Sequence, residues 1–232
     1  MPRPLIPNRS AVILDTAEEL IRTRGYDRTT VADIAERAGI AKGAMYREYP
    51  SKEAVLDALL IRGLRRLIAD VRTRVEQGAE PMGLAAVYRY GIEALRGEPL
   101  VHAFLYGTTD VLGSYARDRT DDRYAQRLAW VTDYVAELQR AGAIRPDVDA
   151  DAVGLALSAV TVGLLSVGPM VGGLEQRRLD GALDVIVELV GRGLDRPAGD
   201  TEDSDDTEAR TAQLRLLDRV ETQLRTAEKG ST

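Results

Sequence analysis

The chain has 232 residues, 44% hydrophobic and 29% charged, with net charge −6, enough apolar material for one large or two small globular domains. It holds no cysteine and one histidine, which excludes disulfides, thiolate chemistry and most zinc sites, so no metal or cofactor is expected. β-Branched clusters are scarce, Ala, Leu, Arg and Glu abound, and no useful alternating stretch occurs. The expected fold class is therefore all-α.

The first helix is expected over Arg9–Thr23, with Ile13, Ala17, Leu20 and Ile21 on one apolar face and Gly25-Tyr26 as its end. Arg9 suits a DNA backbone contact or a solvated surface equally. Thr30 followed by Asp33 is a capping-box pattern, so a short helix should start at Val31 and end where Ala38 meets Gly39. A second short helix begins near Ala41 and stops at Pro50. Ile34, Ala35, Ala38, Ile40 and Met45 supply the contacts between the two. Two short helices around a glycine turn make a helix-turn-helix, whose second helix enters the DNA major groove.

That second helix carries Lys42, Gly43, Ala44, Tyr46 and Arg47 in its first two turns. Small side chains let the backbone approach base edges, and Lys and Arg reach phosphate or guanine. Ser51 caps the next helix and Lys52 stands at its positive end, while Thr30 would present a helix N-terminus to phosphate. Charge is split to match: 14 Lys+Arg against 10 Asp+Glu through Val75, then 17 against 27. Two of the three lysines, Lys42 and Lys52, lie in the proposed reading head. The arginine excess by itself is explained by a GC-rich genome.

The run Gly25-Tyr26, Thr29-Thr30-Val31, Ile34-Ala35, Ala38-Gly39-Ile40, Tyr46 and Pro50-Ser51-Lys52-Glu53 resembles the N-terminal domain of TetR-family transcriptional regulators. The likeness covers about the first 55 to 75 residues. It implies a bacterial, cytoplasmic protein, nucleoid-associated when bound. Two positions depart from the family pattern. Ala41 stands where the family often has Ser or Thr, leaving the reading helix without a side-chain cap. Glu48 stands where many members carry His, Tyr or another phosphate-compatible group.

A long helix follows from Ser51 to about Gln77, with Leu56, Leu60, Leu64, Leu67, Val71 and Val75 as its stripe and Gly78 and Pro81 as its stop. A signal from the second half would travel through it. Further helices are expected at Met82–Arg96, Pro99–Tyr106, Asp121–Ala141, Asp149–Val167 and Arg177–Leu194, with Gly107 to Gly113 read as a break. From Ala152 to Leu174 no charge occurs. A membrane span would fit that length, but Gly168-Pro169 and Gly172-Gly173 interrupt it after roughly 26 Å of helix. A buried helix is the expectation, its small residues Gly154, Ala156, Ser158, Ala159 and Gly163 permitting close packing. The resemblance places Gly154, Ala156, Ala159 and Gly163, with Leu183, Ile186, Val187, Val190 and Leu194 of the next helix, in a dimeric four-helix interface. A monomer's own core would use the same residues.

Six acids fall in the nine residues from Asp200, a linker by composition, and Thr207 to Glu228 is helix-compatible, with Leu214, Leu217, Val220 and Leu224 on one side. The expected division is residues 1–55 for DNA binding with a linking helix to about 77, residues 56–196 for ligand binding and dimerisation, and residues 197–232 for the acidic linker and a candidate amphipathic helix. Tyr88, His102, Phe104, Tyr106, Trp130 and Tyr134 are candidate ligand contacts, although helical cores use aromatics in the same way.

The function these features support is a homodimeric, ligand-responsive, sequence-specific DNA-binding regulator. It would be a repressor freed from a palindromic operator by a small lipophilic molecule, with no membrane partner. The alternative is a DNA-bound adaptor controlled by a protein partner through the tail. An enzyme is not expected, because no catalytic constellation or phosphate-binding loop appears.

Overall fold

The computed structural model describes residues 8–78, 83–106, 109–118, 122–171, 175–196 and 203–230. Its helices are α1 (Arg9–Arg24), α2 (Val31–Arg37), α3 (Lys42–Glu48), α4 (Lys52–Gln77), α5 (Leu84–Arg96), α6 (Pro99–Tyr106), α7 (Thr109–Asp118), α8 (Asp122–Arg140), α9 (Ala150–Val171), α10 (Gln176–Leu194) and α11 (Asp203–Gly230). Among the described residues there is no strand, only an isolated antiparallel bridge between Ile144 and Asp195. The all-α fold is as the composition indicated.

Two compact units divide the chain, and they do not follow chain order. The first takes residues up to Arg66, then Glu98–Thr120 and the last residues from Leu224; the second takes Leu67–Gly97 and Asp121–Gln223. Helices α6 and α7 thus belong with the helix-turn-helix, whereas chain order alone would put them in the second half. Helix α4 begins in one unit and ends in the other.

The first unit is built on the apolar faces of α1, α2 and α4. Ile13, Ile21, Ile34, Met45 and Leu56 are fully buried there, and Leu100, Ala103, Leu112 and Tyr115 from α6 and α7 join the same cluster. Each such side chain contributes roughly 1.5–3 kcal/mol of transfer free energy. Charges then tie α1, α4 and the residue before α6 together. Arg62 reaches Asp15 and Glu18 at 2.6 Å, and Arg66 grips both oxygens of Glu98 (2.7 and 2.8 Å) and also Glu18. Those carboxylates raise the Arg66 pKa above its ordinary value.

Helix α7 begins inside the stretch from Gly107 to Gly113 read from sequence as a break and runs on past it to Asp118. Gly113, at φ +50°, kinks it without ending it.

In the second unit, α5 packs on α10 and α8 on α9. Arg89 pairs with Asp184 and Arg96 with Asp180. Helix α11 starts at Asp203, four residues ahead of the sequence expectation, so residues 203–208 of the acidic stretch expected as a linker from Pro197 to Glu208 are helical; residues 197–202 lie outside the described residues. Ala209, Ala212, Gln213 and Leu217 are buried on its inner side, while Leu214, Val220 and Leu224 are half-buried. Arg72 of α4 pairs with Asp218 at 2.7 Å.

The expectation that α9 is a buried helix holds for one face only. Residues 150–167 are long and apolar enough to cross a membrane by length and composition, yet only 28% of that stretch is buried within the chain. Val153, Leu157 and Leu164 face inward, whereas Leu155, Val160, Val162 and Val171 lie exposed, with Val185 and Leu189 of α10 exposed as well.

Candidate nucleic-acid interface

Local chemistry fixes the two helices that would meet DNA. Thr30 caps α2: its hydroxyl accepts from the Asp33 amide at 3.1 Å, and the Asp33 carboxylate accepts from the Thr30 amide at 2.9 Å and from its hydroxyl at 2.7 Å. These bonds hold the Asp33 carboxyl below the usual carboxylate range. They occupy Thr30's own amide and hydroxyl, and the helix N-terminus it was expected to present to phosphate begins at Val31. At the other end, the Ile40 amide donates to the Ala35 carbonyl at 2.9 Å and Gly39 to Glu36 at 3.1 Å. That is a Schellman closure, which needs the left-handed backbone that Gly39 adopts at φ +68°. Ile40 turns into the core, and the chain restarts as α3 at Ala41 with no side-chain cap, as the sequence indicated.

Seven residues make α3, and Met45 fixes which way it faces. Met45 is fully buried, so Lys42, Gly43, Tyr46 and Arg47 point outward, while Ala44 packs part-buried against the core. Tyr46 is 45% exposed, a large aromatic left in water. No hydrogen bond or ion pair joins Lys42 or Arg47 to another described residue, so both cations are available to a polyanion. At Gly43 an added Cβ would meet nothing within 4 Å.

Lys52 is placed differently. Its ammonium donates to the Tyr26 carbonyl at 3.1 Å and sits 3.9 Å from the centre of the Tyr26 ring, a cation–π contact. Lys52 therefore braces the start of α4 against the turn before α2, besides adding positive charge there. Sequence reasoning missed the partner that holds the far end of α3. Arg9 donates through Nε to Glu48 at 2.8 Å and pairs with it through a second nitrogen, and Ser10 Oγ meets Tyr49 Oη at 2.7 Å. The unusual acid at 48 thus neutralises Arg9. Residues 39 positions apart leave no periodic signature to find this by.

The candidate ligand residues fall in both units. Tyr88 and Tyr134 belong to the second, His102 and Phe104 to the first; the side chains of Tyr106 and Trp130 lie outside the described residues. Tyr88 shares a 2.9 Å hydrogen bond with Thr161 and packs beside Ile92, Leu164 and Leu183. Burial raises the pKa of both tyrosines and lowers that of His102. The Tyr134 hydroxyl is buried without a hydrogen-bond partner among the described residues. Of the residues expected to form a dimer interface, Ala156, Ala159 and Gly163 are exposed and Ile186, Val187 and Leu194 half-buried. Gly154, Leu183 and Val190 are buried within the chain itself, Gly154 against Val131 and Thr132 of α8. Among the described residues no group of three or more His, Asp or Glu could hold a metal.

A short helix seated by one buried methionine, with cations and an aromatic on its outer side, defines a DNA-binding regulator of the helix-turn-helix class. The profile of the bacterial regulatory proteins of the tetR family matches residues 13–59. The HTH-type transcriptional repressor KstR2 of Mycobacterium tuberculosis is 31% identical over 150 residues, 64% of this chain and 75% of that protein. The HTH-type transcriptional regulator EthR of Mycolicibacterium smegmatis is 32% identical over 121 residues, 45% of this chain and 56% of its own length. The solved structure of the ketosteroid transcriptional regulator KstR2 of M. tuberculosis superposes with a TM-score of 0.53 at 26% identity, covering 83% of this chain and 98% of that one. The chain belongs to the TetR family and is a DNA-binding transcription regulator, not an enzyme.

Proposed function

We propose that the protein is a homodimeric, sequence-specific repressor that leaves a palindromic operator when a small lipophilic molecule binds its second unit. The observation that carries this reading is the outward face of α3. Lys42, Tyr46 and Arg47 lie exposed opposite the buried Met45, and Gly43 lets the backbone come close. One seven-residue helix covers few base pairs, so two heads on a twofold axis are needed to read two half-sites. The bare apolar strip of α9 and α10 supports a second copy as its cover, because an exposed patch of this kind on a soluble chain marks an association surface.

An apolar effector is supported by the setting of Tyr88, whose ring sits among aliphatic side chains with its hydroxyl on Thr161. A relative described as a ketosteroid regulator points to the same chemical class. Binding would favour a conformer whose heads no longer match the half-site spacing.

Selecting duplexes from a random-sequence library with the purified protein, then titrating the best of them, tests the reading. Lys42→Ala and Arg47→Ala should weaken binding and relax base preference, each by about 1–3 kcal/mol for a lost base contact. Lys52→Ala should weaken binding to every duplex alike. A protein that stays monomeric at all concentrations, or enriches no sequence, would sink the proposal.

A further inference from the structure

Three segments of the first unit converge on one polar node. Tyr26 and Asp27 form the turn between α1 and α2, Lys52 and Glu53 open α4, and Gly113 to Tyr115 form the kink of α7. The Tyr26 amide donates to the Val111 carbonyl at 2.8 Å. The Asp27 carboxylate accepts from the Ser114 amide at 3.0 Å and from its hydroxyl at 2.6 Å, both on Oδ1. Tyr26 and Tyr115 meet edge to face at 5.6 Å; the Tyr26 hydroxyl donates to Glu53 at 3.0 Å and that of Tyr115 to Asp57 at 2.5 Å.

The kink is made for this contact. Gly113 holds φ +50°, and a Cβ there would overlap the Asp27 carboxylate. Glycine is therefore required twice, by the backbone angle and by the space. The turn at Tyr26–Asp27 leads straight into the capped α2, and the Schellman turn joins α2 stiffly to α3. Whatever fixes Asp27 fixes the direction of the reading helix. The Ser114 amide and hydroxyl, at the kink of α7, hold the Asp27 carboxylate.

We propose that Asp27, Gly113 and Ser114 form a latch by which α7 sets the angle of α3, making them positioning residues for operator choice although they lie outside the reading helix. The proposal rests on the DNA-binding reading above. A tilted head still attracts phosphates through Lys42 and Arg47, so sequence-independent affinity survives while base contacts fall out of register.

The test compares the wild-type dimer with Asp27→Ala, Ser114→Ala and Asp27→Asn on two probes: the highest-affinity duplex the wild type selects from a random library, and a scrambled duplex of equal length. Asp27→Ala and Ser114→Ala should each lose on the order of tenfold on the selected duplex, the scale of one lost base contact, with the scrambled duplex unchanged. Asp27→Asn keeps the oxygen that takes both Ser114 donors and loses only the second, 3.2 Å contact of the Ser114 amide, so it should lose clearly less than Asp27→Ala on the selected duplex. Ser114→Ala removes one hydroxyl only, so it reports even if Asp27→Ala fails to fold. Equal losses on both probes, or none on either, overturn the latch. A wild type that does not distinguish the probes overturns the DNA-binding reading itself.

Discussion

Gly43 stands in the first turn of α3 where an added Cβ would touch nothing, so no contact within the chain calls for glycine. Glycine in a helix costs about 0.5–1 kcal/mol relative to alanine. Gly43→Ala should therefore raise thermal stability slightly while weakening DNA binding, because the methyl would stand where a base edge or phosphate must approach. Paired melting and DNA titrations check this; a stabilised variant of undiminished affinity would remove Gly43 from the interface. Glu48 acts in the opposite sense. It holds the Arg9 guanidinium in a half-exposed ion pair, an interaction worth roughly 0–1 kcal/mol to stability. Glu48→Gln should free that cation and remove an acid from the edge of the interface. Affinity for all duplexes should rise, with the salt dependence steeper by about one counterion. An unchanged slope would place Arg9 beyond reach of the backbone.

At the scale of elements, the reading helices were legible because their boundaries are local chemistry. Thr30 and Asp33 are three residues apart, and Gly39 closes its Schellman turn within five. Helix α7 was not legible, since Gly107 and Gly113 punctuate it as a loop and only Asp27, 87 residues away from Ser114, shows that Gly113 is a kink. Helix α9 defeats periodicity for another reason. It is apolar on every side, so its pattern cannot separate the face used inside the chain from the face left bare. Gly154, expected on the bare face, lies against α8, while Leu155 beside it is exposed. The bare face yields its own prediction. Val160→Glu on α9 and Leu189→Glu on α10 change exposed positions, so each protomer should fold normally. Light scattering should show monomers, and the selected duplex should lose most of its affinity as the paired heads separate. A dimer that withstands both changes would place the twofold contact elsewhere.

For the molecule as a whole, one carboxylate closes the second unit. Asp195, the C-terminal cap position of α10, crosses 111 residues of chain to accept from the Leu84 amide at 2.7 Å and the Ala85 amide at 3.2 Å, capping α5 from outside. Gly83 is needed there, because a Cβ would overlap that carboxylate. Asp195 also bridges to Ile144, its neighbours making the Arg145 amide to Leu194 carbonyl and Arg196 amide to Ala143 carbonyl bonds. Burial pushes its carboxyl up to about 6, against the two amides, which favour the charged form. The buried Tyr134 hydroxyl and Glu137 share this neighbourhood, and Arg145 is engaged by Asp147. A folded pKa above the ordinary 3.8 means the contribution of Asp195 is full below that value and is lost as pH rises through about 6. Stability carried by this group should therefore grow on acidification from neutral pH toward 5. His102 works against it in the same window: burial lowers its pKa, so its contribution falls as pH drops below the ordinary 6.5. The carboxyls of Asp33, Glu53 and Asp147 are held low and weaken the fold only in stronger acid. Comparing wild type with Asp195→Asn at each pH cancels His102 and leaves Asp195 alone. The variant keeps one amide-accepting oxygen and carries no titrating group, so it should gain on the wild type at pH 7.5 and fall level near pH 5. The difference should close by roughly 1 kcal/mol once partial exposure is allowed for. Denaturant melts of the two proteins running parallel across that range would show that the cap does not titrate there.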